Sequence, residues 1–449
     1  MDAFADVLGR VGAWCGQNKY LSAIKNAFQN YMPATISGAI AVLWTNVIVN
    51  ANTGLGKFFS PIMALEPFNA AMNAVNTATI GCIAIGICCL VGYEIAVANG
   101  ETGPYSVVLA FMMWVTVTPL ANDVTGLAAG ESTIGEVLAA AGITDGIGTF
   151  AGISTGVTGA TGLFTGLIVG IVGMEIYCAL RKIDALKVKL PDSVPPGVAR
   201  AFEVLVPTCL VLVITATIGW LSTVLTGMPL NSLISTYVQG PLQVIIGANI
   251  VAVVVLYIII MLFWCVGIHG NNMVGAVKEP IFTPLMVQNM EAFSRGETPP
   301  NVLNITMMQM FAEWGGSGVT LGLIVAIFIF GKREDNRAIA TLSVVPGLFN
   351  INETMTFGLP LVLNPILDIP FILAPCATIV VGYILTVIGF CPRTVVQAPW
   401  TCPPILMGFI STASPMGAVS QLIVMGVATV IYIPFVIAYE AYQNKQVAE

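Results

Sequence analysis

The sequence predicts an all-α polytopic membrane protein, and three observations carry that expectation. Its 449 residues hold only 16 basic and 23 acidic side chains, 9% of the chain, where a soluble protein carries about 25%. Apolar residues make up 57% and the mean hydropathy is +0.89, so the chain lacks the charge to cover a water-facing surface of its own. The apolar stretches are continuous rather than alternating, which selects helices over a transmembrane β-barrel. At about 20 residues per span, the apolar content sets a ceiling of roughly twelve helices, and loops bring it to about eight to ten. A net charge of −7 without a long basic cluster excludes a nucleic-acid binder.

Residues 1–30 scatter Arg10, Lys19 and Lys25 among apolar positions, which suits an amphipathic helix on the membrane surface rather than a signal peptide. Spans are expected near 33–53, 71–93, 104–121 and 156–179. Between Lys57 and Arg181 there is no basic residue, while Glu66, Glu94, Glu101, Asp123, Glu131, Glu136, Asp145 and Glu175 fall in that gap. Arg181, Lys182, Lys187, Lys189 and Arg200 then arrive together, and Lys332, Arg333 and Arg337 form a second group. Basic loops stay in the cytoplasm. Both termini and the 181–203 and 332–337 loops are therefore expected inside the cell, with the acidic 122–150 loop outside. Gly162, Gly166 and Gly170 share one helix face, a small-residue seam for close packing against lipid-embedded neighbours. Val204 to Val277 carries no formal charge, enough for two long spans at about 204–226 and 244–268.

The ten cysteines form no Cys-x-x-Cys pair and no Cys/His cluster, so neither a metal site nor a redox motif is expected. Most sit in apolar runs, where Cys acts as a small hydrophobe. Gly315-Gly316-Ser317-Gly318 reads as a helix-entry turn, since it lacks the Lys and the spacing of a phosphate-binding loop. No cofactor is expected.

Polar groups at membrane depth are costly, and two segments accept the cost. The first runs Trp264-Cys265-Val266-Gly267-Ile268-His269-Gly270-Asn271-Asn272 and contains the protein's one histidine. A capping or interface histidine would explain His269. So would an unwound segment that presents Asn271, Asn272 and the imidazole to a cavity, with the Trp264 face placed for a sugar ring to stack on. The second segment, 338–375, has about a dozen apolar residues before Asn350, too few to span, and Pro346-Gly347 interrupts them. A re-entrant hairpin with Asn350, Asn352 and Glu353 near its tip fits best. The three polar residues suit an interfacial solvation cluster or a polyol site in which amides and one carboxylate bind hydroxyls. In Gln397-Ala398-Pro399-Trp400, Trp400 reads equally as an interfacial anchor or a second stacking surface.

These residues resemble a known family. The run Gly347 to Pro365, GLFNINETMTFGLPLVLNP, closely resembles the signature of enzyme IIC in the lactose/cellobiose/diacetylchitobiose branch of the bacterial phosphotransferase system. So do Val266–Gly270, Gly315–Leu323, Pro399–Pro404 and Leu190–Pro196, in the right order over roughly residues 20–442. Two positions depart from the pattern: Thr354 stands where a proline usually follows the Glu, and Cys402 where a threonine is common.

The resemblance implies a single membrane domain over 1–449, an interface part (about 31–230) and a transport part (about 231–440), in a homodimer. Each protomer would have about ten transmembrane helices and two re-entrant hairpins, in the bacterial cytoplasmic membrane. It implies that His269 and Glu353 hold the sugar near its 6-hydroxyl, and that a separate phosphorylated enzyme IIB docks from the cytoplasm. With no phosphate cradle or phosphocarrier cysteine of its own, the chain would act as the transport subunit of a phosphotransferase. Glu353 would serve as base and His269 would orient a β-linked disaccharide. A proton- or sodium-coupled secondary transporter, with the same two residues as its relay, is the alternative.

Overall fold

The computed structural model describes residues 2–51, 55–101, 103–123, 149–191 and 193–448. Most of the 122–150 loop lies outside the described residues. Six helices among them are long and apolar enough to cross a membrane, or seven if one bent pair counts as a span. The chain divides into two compact units, Met1–Ile80 with Gln239–Glu449, and Gly81–Val238. The smaller unit overlaps the expected 31–230 part but runs on to Val238, and residues 31–80 group with the C-terminal half instead.

In the smaller unit, α4 (Ile83–Ala98) and α5 (Tyr105–Val117) pack on the helical run α6 (Ala160–Arg181), and α7 (Leu205–Thr226) packs on α5. The expected glycine seam makes that packing possible. A Cβ on Gly166 would come 2.5 Å from the Ala84 carbonyl oxygen, and one on Gly170 2.8 Å from that of Cys88. Backbone therefore rests on backbone at this crossing. A short antiparallel ribbon, β1 (Ala121–Asp123) with β2 (Thr149–Ala151), follows α5. At the far end of α6, Arg181 pairs with Glu101 at 2.6 Å and Glu203 at 3.2 Å.

In the larger unit, the N-terminal segment forms two helices rather than one over about 1–30. α1 (Asp2–Gln17) stops and α2 (Lys19–Leu43) begins, because the Asn18 side chain caps α2 by accepting from the N–H groups of Tyr20 and Leu21. α3 (Asn69–Thr79) packs on α2. The expected straight span at 244–268 breaks. The helical run that ends at Gly247 meets α8 (Ile250–Cys265) at 80°, and Asn249 caps α8 through the N–H groups of Val251 and Ala252. A charge-free, uniformly apolar run hides such a break from hydropathy.

α9 (Gly270–Ser294), α10 (Ile305–Ala312) and α11 (Thr320–Phe330) follow. α12 (Glu334–Leu348) and α13 (Glu353–Gly358) form the expected broken hairpin. Pro346 does not interrupt α12, which continues through it to Leu348. The reversal comes at Asn350, whose φ is +62°, a conformation Asn tolerates better than most residues. α14 (Asp368–Val387), α15 (Leu406–Thr412) and α16 (Pro415–Ala448) complete the unit, with α16 packed on α11 and α14.

Candidate functional site

Three stretches of the larger unit meet: the turn between α8 and α9, the Glu313–Val319 turn before α11, and the reversal between α12 and α13. The Gly315–Gly318 stretch is the helix-entry turn that its composition suggested. Gly316 has φ +88°, and a Cβ there would meet the Asn352 Cβ at 2.6 Å. Its missing side chain lets the reversal approach.

His269 is the N-cap of α9. Its Nδ1 accepts the backbone N–H of Asn272 at 3.3 Å, so the neutral ring carries its proton on Nε2. No side chain or carbonyl among the described residues takes that second N–H. The capping reading is thus realised by one nitrogen and the other stays available. Because the cap restarts the helix at Gly270, Asn271 and Asn272 lie in the first turn of α9 rather than on unwound backbone. Trp264 packs on the imidazole with ring centroids 4.5 Å apart and planes at 48°. At 2% exposure, Trp264 braces the imidazole and shows no open face to a ligand.

The amides of the reversal are engaged differently. Asn350 accepts the Gly315 N–H through Oδ1 at 2.7 Å and donates through Nδ2 to the carbonyls of Trp400 (2.5 Å) and Cys402 (3.0 Å). All of its hydrogen bonds go to backbone, so it pins the reversal. Asn352 donates to the Ser317 carbonyl at 2.8 Å and to Thr356 Oγ1 at 3.1 Å, and no donor among the described residues reaches its Oδ1. Glu353 opens α13 with an exposed side chain. Trp400, 43% exposed, lies beside the reversal through its carbonyl's bond to Asn350. The two polar segments singled out in the sequence therefore converge.

Sequence reasoning missed Lys278, Glu313 and Tyr257 here, and the part Ser317 plays. Lys278 Nζ sits 2.7 Å from Glu313 Oε1, with side chains 4% and 16% exposed. The Tyr257 hydroxyl donates to the same oxygen at 2.8 Å. Asn271 Nδ2 donates to Ser317 Oγ at 3.0 Å. The signal for the pair was available: Lys278 is the charge that ends the neutral 204–277 run, and Glu313 stands just before the glycine turn, both in apolar surroundings where charge is functional by default.

Comparison with known proteins bears on the chain as a whole. The family model described as "Phosphotransferase system, EIIC" matches residues 25–375. The oligo-beta-mannoside-specific EIIC component of the phosphotransferase system of Bacillus subtilis (strain 168) is 30% identical over 426 residues, covering 94% of this chain and 90% of that protein. The cellobiose-specific EIIC component of Lactococcus lactis subsp. lactis (strain IL1403) is 30% identical over 476 residues, with 95% of each chain covered. The crystal structure of the transporter ChbC, the IIC component from the N,N'-diacetylchitobiose-specific phosphotransferase system, matches with a TM-score of 0.87 at 28% identity, covering 98% of each chain.

Proposed function

The chain belongs to the phosphotransferase-system EIIC family, and from there we propose that it binds and translocates a β-linked disaccharide of the cellobiose or diacetylchitobiose type. It presents the sugar's 6-hydroxyl to a phosphorylated enzyme IIB. The observation that carries this reading is the convergence of the His269 turn, whose Nε2–H is unengaged, on the reversal that ends at Glu353, the two joined through Asn271, Ser317 and Asn352. One donor and one acceptor, fixed by separate backbone turns, suit a hydroxyl that must be held in one direction while it reacts.

In this reading the substrate oxygen attacks the phosphorus of a phosphocysteine on enzyme IIB. The O–P bond forms as the S–P bond breaks, Glu353 takes the hydroxyl proton, and the cysteine leaves as thiolate. His269 and Asn272 orient the sugar, Asn352 and Asn271 supply amide contacts, and Trp400 offers the accessible ring face. The product carries about two added negative charges at neutral pH. It fits an amide-and-carboxylate pocket poorly and does not recross the bilayer, so uptake runs one way. The working assembly is a homodimer of ten-helix protomers in lipid, built from an interface part (about 31–230) and a transport part (about 231–440). It sits in the bacterial cytoplasmic membrane with both termini inside.

The test is reconstitution into vesicles with cellobiose or diacetylchitobiose and phosphorylated enzyme IIB. Phosphorylated sugar is expected to accumulate on the enzyme IIB side and to persist after an uncoupler collapses ion gradients. Uptake without enzyme IIB that stops with the uncoupler would favour the secondary-transport alternative instead.

A further inference from the structure

The sugar reading leaves a buried charge cluster unused. Lys278 from α9 and Tyr257 from α8 both donate to Oε1 of Glu313, at 2.7 and 2.8 Å. The same ammonium reaches Asn271 Oδ1 at 3.5 Å. Asn271 lies seven residues earlier on the same face of α9, two turns toward the His269 cap. Held by its oxygen, the Asn271 amide turns Nδ2 to Ser317 Oγ at 3.0 Å, and the Ser317 carbonyl accepts Asn352 at 2.8 Å. Hydrogen bonds, with Ser317 bridging between its side chain and its own carbonyl, thus link the buried charges to the residue that precedes Glu353.

We infer that Lys278, Glu313 and Tyr257 form a positioning unit that fixes the His269 turn against the Asn350–Glu353 reversal, acting on the sugar through Asn271 and Ser317. The inference rests on the sugar-site reading above. A buried ion pair contributes little net stability over an apolar replacement of similar volume, while removal of one partner strands the other. What the pair supplies that an apolar contact lacks is direction: Glu313, held by Tyr257, fixes the Lys278 ammonium, and the ammonium orients the Asn271 amide.

The experiment uses the purified full-length chain, with cellobiose and diacetylchitobiose as probes. The double variant Lys278→Met with Glu313→Gln removes both charges, keeps the volume, and leaves an acceptor for Tyr257. It is expected to keep the parent's unfolding midpoint while sugar affinity falls at least tenfold. Asn271→Ala should then weaken affinity less in that background than in the parent, and Lys278→Arg should retain most of the parent's affinity. A folded double variant with parental affinity, or an Asn271→Ala effect of equal size in both backgrounds, would overturn the inference. Should the double variant fail to fold, Tyr257→Phe removes one hydroxyl only. A three- to tenfold loss of affinity at an unchanged unfolding midpoint supports the inference, and unchanged affinity overturns it. Failure of the sugar-site reading looks different: His269→Ala would then bind sugar as the parent does, and Glu353→Gln would support sugar phosphorylation at the parent's rate.

Discussion

His269 and Asn272 are joined by a hydrogen bond from the Asn272 backbone N–H to the imidazole Nδ1 at 3.3 Å. One side chain thereby closes the start of α9 and aims its Nε2–H away from the helix. The two roles separate by substitution. His269→Asn keeps an oxygen able to cap and is expected to hold stability within about 0.5 kcal/mol, whereas His269→Ala loses about 1 kcal/mol. Both lack the Nε2–H and should bind sugar at least tenfold more weakly. Thermal unfolding with calorimetric titration on both variants checks this. Equal affinity for parent and His269→Asn would reduce His269 to a cap.

Glu353→Gln keeps the shape and one acceptor of the side chain but removes its basicity. General-base catalysis supplies about 10²–10⁴-fold in rate. Phosphorylation by phospho-enzyme IIB in vesicles is therefore expected to fall by at least about a hundredfold, with disaccharide affinity changing far less. An unaltered phosphorylation rate takes the base role away from Glu353.

Asn350 is expected to matter for the fold before the ligand. Of its three hydrogen bonds to backbone, those to Gly315 and Cys402 are buried and that to Trp400 is part-buried, and unpaired buried groups cost roughly 1–3 kcal/mol each. Asn350→Gly relieves the positive φ and isolates the hydrogen-bond loss. Asn350→Ala adds the left-handed strain. Denaturation should rank the parent above Asn350→Gly and Asn350→Gly above Asn350→Ala, with the first gap the larger. A sugar-binding defect in Asn350→Gly at parental stability would return Asn350 to the ligand.

The same residue shows how far the sequence could be followed. That Asn350, Asn352 and Glu353 sit at a break in an apolar stretch was legible, because polar residues and too short a run betray a reversal. Which amides are spent on backbone and which keep an unengaged atom was not, because the partners of Asn350 lie near residues 315 and 400. The glycine seam at Gly166 and Gly170 was legible from spacing alone, since a helix face repeats locally. Tyr257, Lys278 and Glu313 meet only through tertiary packing, and no local periodicity encodes that meeting. The bend between Gly247 and Ile250 escaped for another reason: cap residues such as Asn249 carry no charge, and hydropathy averages over them.

The two tryptophans named as sugar platforms are expected to behave oppositely. Trp264 is 2% exposed and packed on His269, while Trp400 is 43% exposed beside the reversal. A ring must present a face to stack on a sugar, and only Trp400 does so. Acrylamide quenching of the parent should fall when cellobiose binds, and Trp400→Phe should abolish that protection. Trp264→Phe should leave the protection in place and weaken affinity indirectly, because a smaller ring lets the imidazole shift. If Trp264→Phe instead removes the protection and Trp400→Phe does not, the sugar lies against α8, and Trp264 must swing out of its buried position on binding.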